Sequence, residues 1–210
     1  MIRVLIVDDH TILRRGLSQI ISETDDLEVC GEADSGVQAI KLAREQDFDV
    51  VLLDISMPDR NGLDTLKQLK KEKPKLAVLM LSMHPEEHYA MRALKAGASG
   101  YLTKQSAPAL LVTAIRQVAS GRKYVSSELA EELARTVGPD SGRPRHETLS
   151  DREYETLRLM ASGMTLTEIA AEMSLSVKTV SVYRARLLEK MQLKNNAELT
   201  YYALKHKLVE

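Results

Sequence analysis

Three aspartates, a serine and a lysine of this chain stand where short apolar runs end. Asp8 and Asp9 follow Val4-Leu5-Ile6-Val7, and Asp54 follows Val50-Val51-Leu52-Leu53. Ser82 follows Ala77-Val78-Leu79-Met80-Leu81, and Lys104 comes just after Tyr101-Leu102. If these runs are strands of one parallel sheet, all five side chains gather at its carboxyl edge, where such sheets bind ligands. Carboxylates brought together repel one another and resist ionisation unless a cation joins them. Oxygen donors of this kind suit Mg²⁺, which takes one or two carboxylates together with waters and phosphate oxygens. Lys104 would hold a further phosphoryl oxygen as a point charge, and Asp54 would attack phosphorus in line as a carboxylate nucleophile. Each residue also has an ordinary explanation: Asp8 and Asp9 can open a helix, and Asp54 can shape the turn before Pro58 and Gly62. Their shared register at one edge favours the chemistry.

The elements that must position these groups are legible in the hydrophobic pattern of residues 1–124. Between the apolar runs lie helical patterns, with Ile12, Leu13, Leu17, Ile20 and Ile21 in the first, residues around 39–43 in the second, and Leu63, Leu66 and Leu69 in the third. Two more cover residues 90–96 and 110–118, and Leu27-Glu28-Val29 supplies the remaining strand. Continuous apolar strands are buried on both faces, and helical crossovers between them are right-handed. The expectation is an α/β domain with a doubly wound, five-stranded parallel sheet.

Residues 125–146 read as a helical stretch around 127–135 followed by a linker. Gly138-Pro139-Asp140-Ser141-Gly142-Arg143-Pro144-Arg145 is rich in breakers and lacks apolar periodicity. Residues 147–210 read as a second, all-α domain of four helices. Ser150 with Glu153 and Thr165 with Glu168 are capping boxes, Gly163 closes the first helix, and Ser176 caps a third running to about residue 193. A fourth covers about residues 197–206. Short helix, tight turn and longer basic helix is the helix-turn-helix layout.

Charge supports that layout. The chain as a whole carries -1, yet from Ser174 to Lys207 seven lysines and arginines face only Glu189 and Glu198. A solvated helix face can be as basic without a partner, so the pattern matters more than the count. Projected at ~100° per residue, the third helix puts Val177, Val180, Leu187, Leu188 and Met191 on one side. Lys178, Val182, Ala185, Arg186 and Glu189 fall on the other, free for a major groove. Lys178 and Arg186 suit phosphates or guanine edges, while Val182 and Ala185 are sized for thymine methyls. Arg184 projects near the apolar side, as a snorkelling arginine would.

Composition excludes other classes. At 44% hydrophobic and 28% charged, with no apolar run near the ~18 residues needed to cross a bilayer, the chain reads as a globular protein without membrane segment or signal peptide. Its single cysteine, Cys30, cannot form an internal disulfide, and a buried, unreactive thiol in a reducing compartment is expected. The expected location is the cytoplasm.

Taken together these motifs resemble a known family. Val7-Asp8-Asp9-His10, Leu53-Asp54-Ile55-Ser56-Met57-Pro58 with Gly62, Leu81-Ser82-Met83, Ala96-Gly97-Ala98-Ser99-Gly100-Tyr101 and Lys104 resemble the receiver domain of bacterial response regulators. Leu149-Ser150-Asp151-Arg152-Glu153, Glu168-Ile169-Ala170, Lys178-Thr179-Val180 and Lys190-Met191 resemble the LuxR-type helix-turn-helix. In this order they are similar to the NarL/FixJ subfamily. Val182-Tyr183-Arg184-Ala185-Arg186 and Glu198-Leu199-Thr200 resemble regulators of the GacA/UvrY kind.

The resemblance implies a two-component regulator of transcription. A sensor histidine kinase donates the phosphoryl group to Asp54, and Asp9, Asp54 and the Ser56 carbonyl hold Mg²⁺ with Asp8 acting through water. Ser82 bonds the new phosphoryl group, Tyr101 turns inward as the switch, and an activated homodimer binds double-stranded DNA at half-sites related by a two-fold axis. DNA-contacting positions map to Lys178, Thr179, Ser181, Val182, Tyr183, Ala185 and Arg186, with base reading at Ser181, Val182 and Ala185. Some members carry lysine where this chain has Ser181 and Ala185, so its recognised sequence should differ from theirs. Gln105 replaces the proline that often follows the lysine, and a cis peptide there costs ~3 kcal/mol without proline. Two alternatives remain. A haloacid-dehalogenase-type phosphatase would need an acid at position 56, where Ser56 stands, and no turnover of an external substrate is expected. A phosphorylation-independent DNA binder or partner-controlled adaptor has no use for the intact acidic set.

Overall fold

The computed structural model describes residues 1–57, 60–83, 86–126, 129–131 and 144–209, the side chains of 86–88 excepted. The chain divides into two compact units, Met1–Val137 and Gly138–Glu210.

In residues 1–124 of the first unit, among the described residues, five strands alternate with five helices. They are β1 (Ile2–Val7), α1 (Thr11–Ser22), β2 (Leu27–Ala33), α2 (Gly36–Glu45), β3 (Val50–Asp54), α3 (Gly62–Glu72), β4 (Ala77–Ser82), α4 (Glu86–Lys95), β5 (Gly100–Thr103) and α5 (Ala107–Ala119). All strand pairs are parallel, in the order β2-β1-β3-β4-β5. That order is the doubly wound one expected from the sequence. Val4, Ile6, Val50, Leu52, Leu79 and Leu81 pack with Leu17 and Ile21 of α1 and with Leu111, Ile115 and Val118 of α5. The alternate residues Leu5, Val7, Val51, Leu53, Val78 and Met80 are equally buried and face the other side, where α2, α3 and α4 lie.

Burial on both faces makes Val4–Val7, Val50–Leu53 and Ala77–Leu81 of the three central strands unbroken apolar runs. β2 is an edge strand and longer than the three residues its sequence advertises, because Gly31 is only half-covered and Glu28 and Glu32 are exposed. Its pairing with β1 slips between Val4 and Leu5, so that Cys30 has no partner opposite it. Cys30 is partly exposed rather than buried, although desolvation still raises its thiol pKa. The helices exceed their expected cores by up to four residues at the starts, where polar caps carry no apolar signal. Ser35 caps α2 by accepting from Gln38 N, and Asn61 caps α3 by accepting from Leu63 N.

In the second unit four helices follow a 3₁₀ turn at Arg145–Thr148. They are α6 (Asp151–Ala161), α7 (Leu166–Glu172), α8 (Val177–Met191) and α9 (Asn196–Lys205). Both capping boxes form, Ser150 with Glu153 and Thr165 with Glu168. Gly163 takes the left-handed conformation (φ 89°) that closes the first helix. Ser174, in the tight turn, and Gln192, which ends α8 at Met191 rather than at residue 193, are also left-handed. Arg145, assigned to the linker from its breaker-rich surroundings, belongs to this unit, where its Nη1 donates to the Met191 carbonyl. Linker residues 138–143 and most of the helical stretch at 127–135 lie outside the described residues, and 129–131 are helical.

Candidate phosphoacceptor site and nucleic-acid interface

Register brings the acidic site together. Val7 pairs with Leu53, Asp54 with Leu81 and Ser82 with Thr103, so Asp8, Asp54, Ser82 and Lys104 arrive at one level of the sheet edge. Strand β1 stops at Val7, which puts Asp8, Asp9 and His10 in the loop before α1. Neither aspartate caps that helix: the N-cap is His10, whose side chain makes no capping bond. The ordinary explanation for the acid pair therefore fails. Asp54 does shape its turn, with Oδ1 accepting from Ser56 N at 3.3 Å, but its other oxygen points to Lys104.

Lys104 Nζ lies 2.7 Å from Asp8 Oδ2 and 2.9 Å from Asp54 Oδ2. Asp8, Asp54, Ser82 and Lys104 are all buried. Burial pushes the Asp54 carboxyl up to about 6, with Asp8 adding to the rise and Lys104 opposing it. For Lys104, burial disfavours the charge, but Asp54 and Asp8 together outweigh it and raise the pKa. One cation shared by two buried carboxylates leaves negative charge in excess.

Ligand atoms of Asp8, Asp9, His10 and Asp54 lie within 4.8 Å of one another. Asp8 Oδ2 and Asp54 Oδ2 are buried and share the single Lys104 ammonium, while Asp9 Oδ1 is buried with no hydrogen bond. Orphaned carboxylate oxygens are costly unless a cation satisfies them, so this donor set fits a hard divalent ion such as Mg²⁺. Ser56, whose carbonyl the resemblance assigns to the metal, is exposed beside the site, and Pro58 lies outside the described residues.

Tyr101 is fully buried within β5, already inward. No cis peptide occurs among the described residues, the Lys104–Gln105 bond included. Arg14 escaped the sequence reading, and His10 and Gly62 entered it only as motif residues with no role of their own at the site. Arg14, one turn into α1, donates through Nη1 to the Asp8 carbonyl at 2.6 Å and through Nε to Glu32 at 3.3 Å, fixing the loop. His10 Nδ1 stands beside both aspartates, and its place right after the acid pair was the available signal. Gly62 packs on the backbone of Asp54: a Cβ there would lie 2.0 Å from the Asp54 carbonyl oxygen.

On α8, Val180, Leu187 and Met191 are buried, while Lys178, Ser181, Val182, Ala185, Arg186 and Glu189 are exposed on the opposite side. Val177 departs from the projection: it is exposed, although Val180 in the same turn is fully buried. Thr179 is half-buried and engaged at the cap, its N–H donating to Ser176 Oγ, and Tyr183 is half-buried at the stripe's margin. Arg184 is partly covered and donates from Nε to Asn196 Oδ1 at 2.9 Å, which ties α8 to α9. Glu153 on α6 joins Lys190 of α8 at 2.7 Å, and its Oε2 also accepts from Ser150 N.

Comparison with known proteins agrees with both units. Residues 4–116 match the response regulator receiver domain, and residues 147–203 match the bacterial regulatory proteins of the luxR family. The chain is 36% identical to the response regulator UvrY of Escherichia coli K12 over 99% of its own length and 96% of that protein. It is 37% identical to the response regulator GacA of Pseudomonas viridiflava over 100% of its length and 99% of that one. Among solved structures it is similar to RcsB of Salmonella enterica serovar Typhimurium bound to the promoter P1flhDC in the presence of phosphomimetic BeF₃⁻. That likeness has a TM-score of 0.66 at 29% identity and covers 96% of this chain and 97% of that one. A receiver sheet edge with its buried acids and lysine, followed by a basic helix-turn-helix, thus places this chain among the response regulators with a LuxR-type DNA-binding domain.

Proposed function

We propose that the chain couples phosphorylation of Asp54 to DNA binding by α8, with residues 1–124 as receiver, 125–146 as connector and 147–210 as DNA-binding domain. The observation that carries this reading is Lys104 Nζ within 2.9 Å of Asp54 Oδ2, beside buried Asp8 and half-buried Asp9. A cation placed there neutralises the oxygens of an incoming phosphoryl group next to the one carboxylate that ends a central strand.

The phosphodonor is a phosphohistidine of a sensor kinase. An Asp54 carboxylate oxygen attacks phosphorus in line, the P–N bond breaks, and the imidazole nitrogen leaves with the electron pair. Asp9, Asp54 and the Ser56 carbonyl would hold Mg²⁺ with Asp8 beside them, and the bound ion supplies neutralisation of phosphoryl charge. Lys104 holds a phosphoryl oxygen, Ser82 hydrogen-bonds another, and Tyr101 adjusts behind it. Each chain accepts one phosphoryl group rather than turning over an external substrate.

The output is a homodimer in the cytoplasm whose two α8 helices read half-sites related by a two-fold axis. The exposed stripe of Lys178, Ser181, Val182, Ala185 and Arg186 supports this, and among the described residues no helix is long and apolar enough to cross a membrane. RcsB structures with promoter DNA, and with two dimers on two DNAs, lend the same support. The test uses a small phosphodonor with Mg²⁺. One acid-labile phosphate per chain is expected, abolished in Asp54→Ala and suppressed by chelation, with a gain in dimer fraction and DNA affinity in the wild type. Equal labelling of Asp54→Ala, or labelling without change in DNA affinity, overturns the proposal.

A further inference from the structure

His10 has no part in the phosphoryl-transfer reading, yet it belongs to the same cluster. Its Nδ1 lies 3.1 Å from Asp8 Oδ1 and 3.0 Å from Asp9 Oδ1. An octahedral ion with bonds of ~2.1 Å separates neighbouring donor atoms by ~3.0 Å and opposite ones by ~4.2 Å. The imidazole nitrogen therefore stands at the spacing of a cis ligand from both carboxylates. Asp9 Oδ1 is buried and accepts no hydrogen bond, although Nδ1 is at hydrogen-bonding distance. The same Nδ1 forms a hydrogen bond with Asp8 Oδ1, a contact that an ion bound between the three atoms would replace.

The backbone supports the same geometry. His10 N donates to Asp8 Oδ1 at 2.9 Å, and Arg14 clamps the Asp8 carbonyl, so the loop is fixed before any ion arrives. The ring itself is 67% exposed and can settle onto an ion without unpacking a core. A nitrogen donor changes which ions the site prefers. Mg²⁺ favours all-oxygen coordination, whereas imidazole suits the later first-row divalent ions, whose affinities rise along the series.

Resting on the reading of the acid cluster as a divalent-cation site, we infer that His10 supplies an imidazole ligand that lets this site take an octahedral transition ion of the Co²⁺ and Ni²⁺ class. For Mg²⁺ the same ring stays a bystander. His10 thus sets ion selectivity at the phosphoacceptor edge.

Calorimetric titration of the full chain with Mg²⁺ and with Co²⁺ tests this, in wild type, His10→Ala and Asp9→Asn. His10→Ala should lose about 10-fold or more in Co²⁺ affinity and about twofold or less for Mg²⁺, whereas Asp9→Asn should weaken both ions. Proton NMR of the Co²⁺-loaded wild type should show hyperfine-shifted imidazole ring resonances that vanish in His10→Ala. Parallel changes for the two ions in His10→Ala, or shifted resonances that persist in it, overturn the role of His10 alone. Failure of the wild type to bind either ion, or full affinity for both in Asp9→Asn, overturns the cation-site reading and this inference with it.

Discussion

Lys104 Nζ stands 2.9 Å from Asp54 Oδ2, and both side chains are buried. Asp8 shares the same nitrogen at 2.7 Å. Lys104→Met would leave two buried carboxylates with no cation, and breaking such a pair costs about 3–5 kcal/mol. Urea unfolding at pH 7 in chelator should show a midpoint lowered accordingly, with part of the loss recovered on adding Mg²⁺. An unchanged midpoint would mean that the acids are already neutral and that Lys104 holds no charge balance there.

Gly62 leaves no room for a side chain, since a Cβ would meet the Asp54 carbonyl oxygen at 2.0 Å and Ile55 Cα at 2.8 Å. Backbone cannot rotate out of the way as a flexible side chain can. Gly62→Ala should therefore push the start of α3 off β3, destabilise the unit by about 1–3 kcal/mol, and misplace the phosphoacceptor. Phosphorylation by a small donor should slow at least about tenfold, because small displacements of a reacting group cost that much. Wild-type labelling kinetics in a folded Gly62→Ala protein would refute the positioning role.

Exposed α8 residues should separate affinity from specificity. Phosphate contacts release counterions whatever the sequence, so Arg186→Ala and Lys178→Ala should weaken all DNA and lower the salt slope by about one unit per lost contact. Val182→Ala and Ala185→Lys should change the preferred base, by ~1–3 kcal/mol per pair, and leave the salt slope of Val182→Ala intact. A base-substitution scan of one half-site at two salt concentrations reads both. Unaltered base preference in both variants would mean that another face of α8 meets the bases.

Glu153 gives the DNA-binding unit a pH dependence. Burial pushes its carboxyl up, but the hydrogen bond from Lys190 and those from Ser150 outweigh it and hold it below the ordinary carboxylate range. A carboxyl depressed in the folded state contributes stability above its unfolded value, ~4.3, and loses it as pH falls through the folded value. Glu153→Gln should be about 1 kcal/mol less stable than wild type at pH 7. The difference should close below about pH 4. Thermal melts of the full chain between pH 7 and 3 measure it, and a constant difference across that range would exclude the ion pair as its source.

The sequence was most legible where burial is uniform. The stretches Val4–Val7 of β1, Val50–Leu53 of β3 and Ala77–Leu81 of β4 are covered on both faces, so every residue in them is apolar and the polar residue that follows marks the sheet edge. The edge strand β2 was readable only at its start, because its later positions Cys30 and Gly31 are half-covered and Glu32 is exposed. Capping boxes were legible because their two partners are three residues apart and need no tertiary context. Val177 shows the limit of periodicity: a helical projection gives the direction of a side chain but not whether anything lies there to cover it.

By itself the sequence determined the two-domain plan and singled out Asp8, Asp9, Asp54, Ser82 and Lys104 as the polar residues at the ends of the strands, since strand ends and helix caps are local signals. Only the tertiary structure decided that Asp8 and Asp9 are free of α1's cap, that Lys104 bridges Asp8 and Asp54, and that His10 joins the cluster. It also decided that Gly62 must lack a side chain and that Arg14 fixes the Asp8 loop. These relations join residues up to 96 positions apart through strand register and the path of a loop. No local pattern encodes such distances, because they arise only when the whole sheet is assembled and its edge is shared.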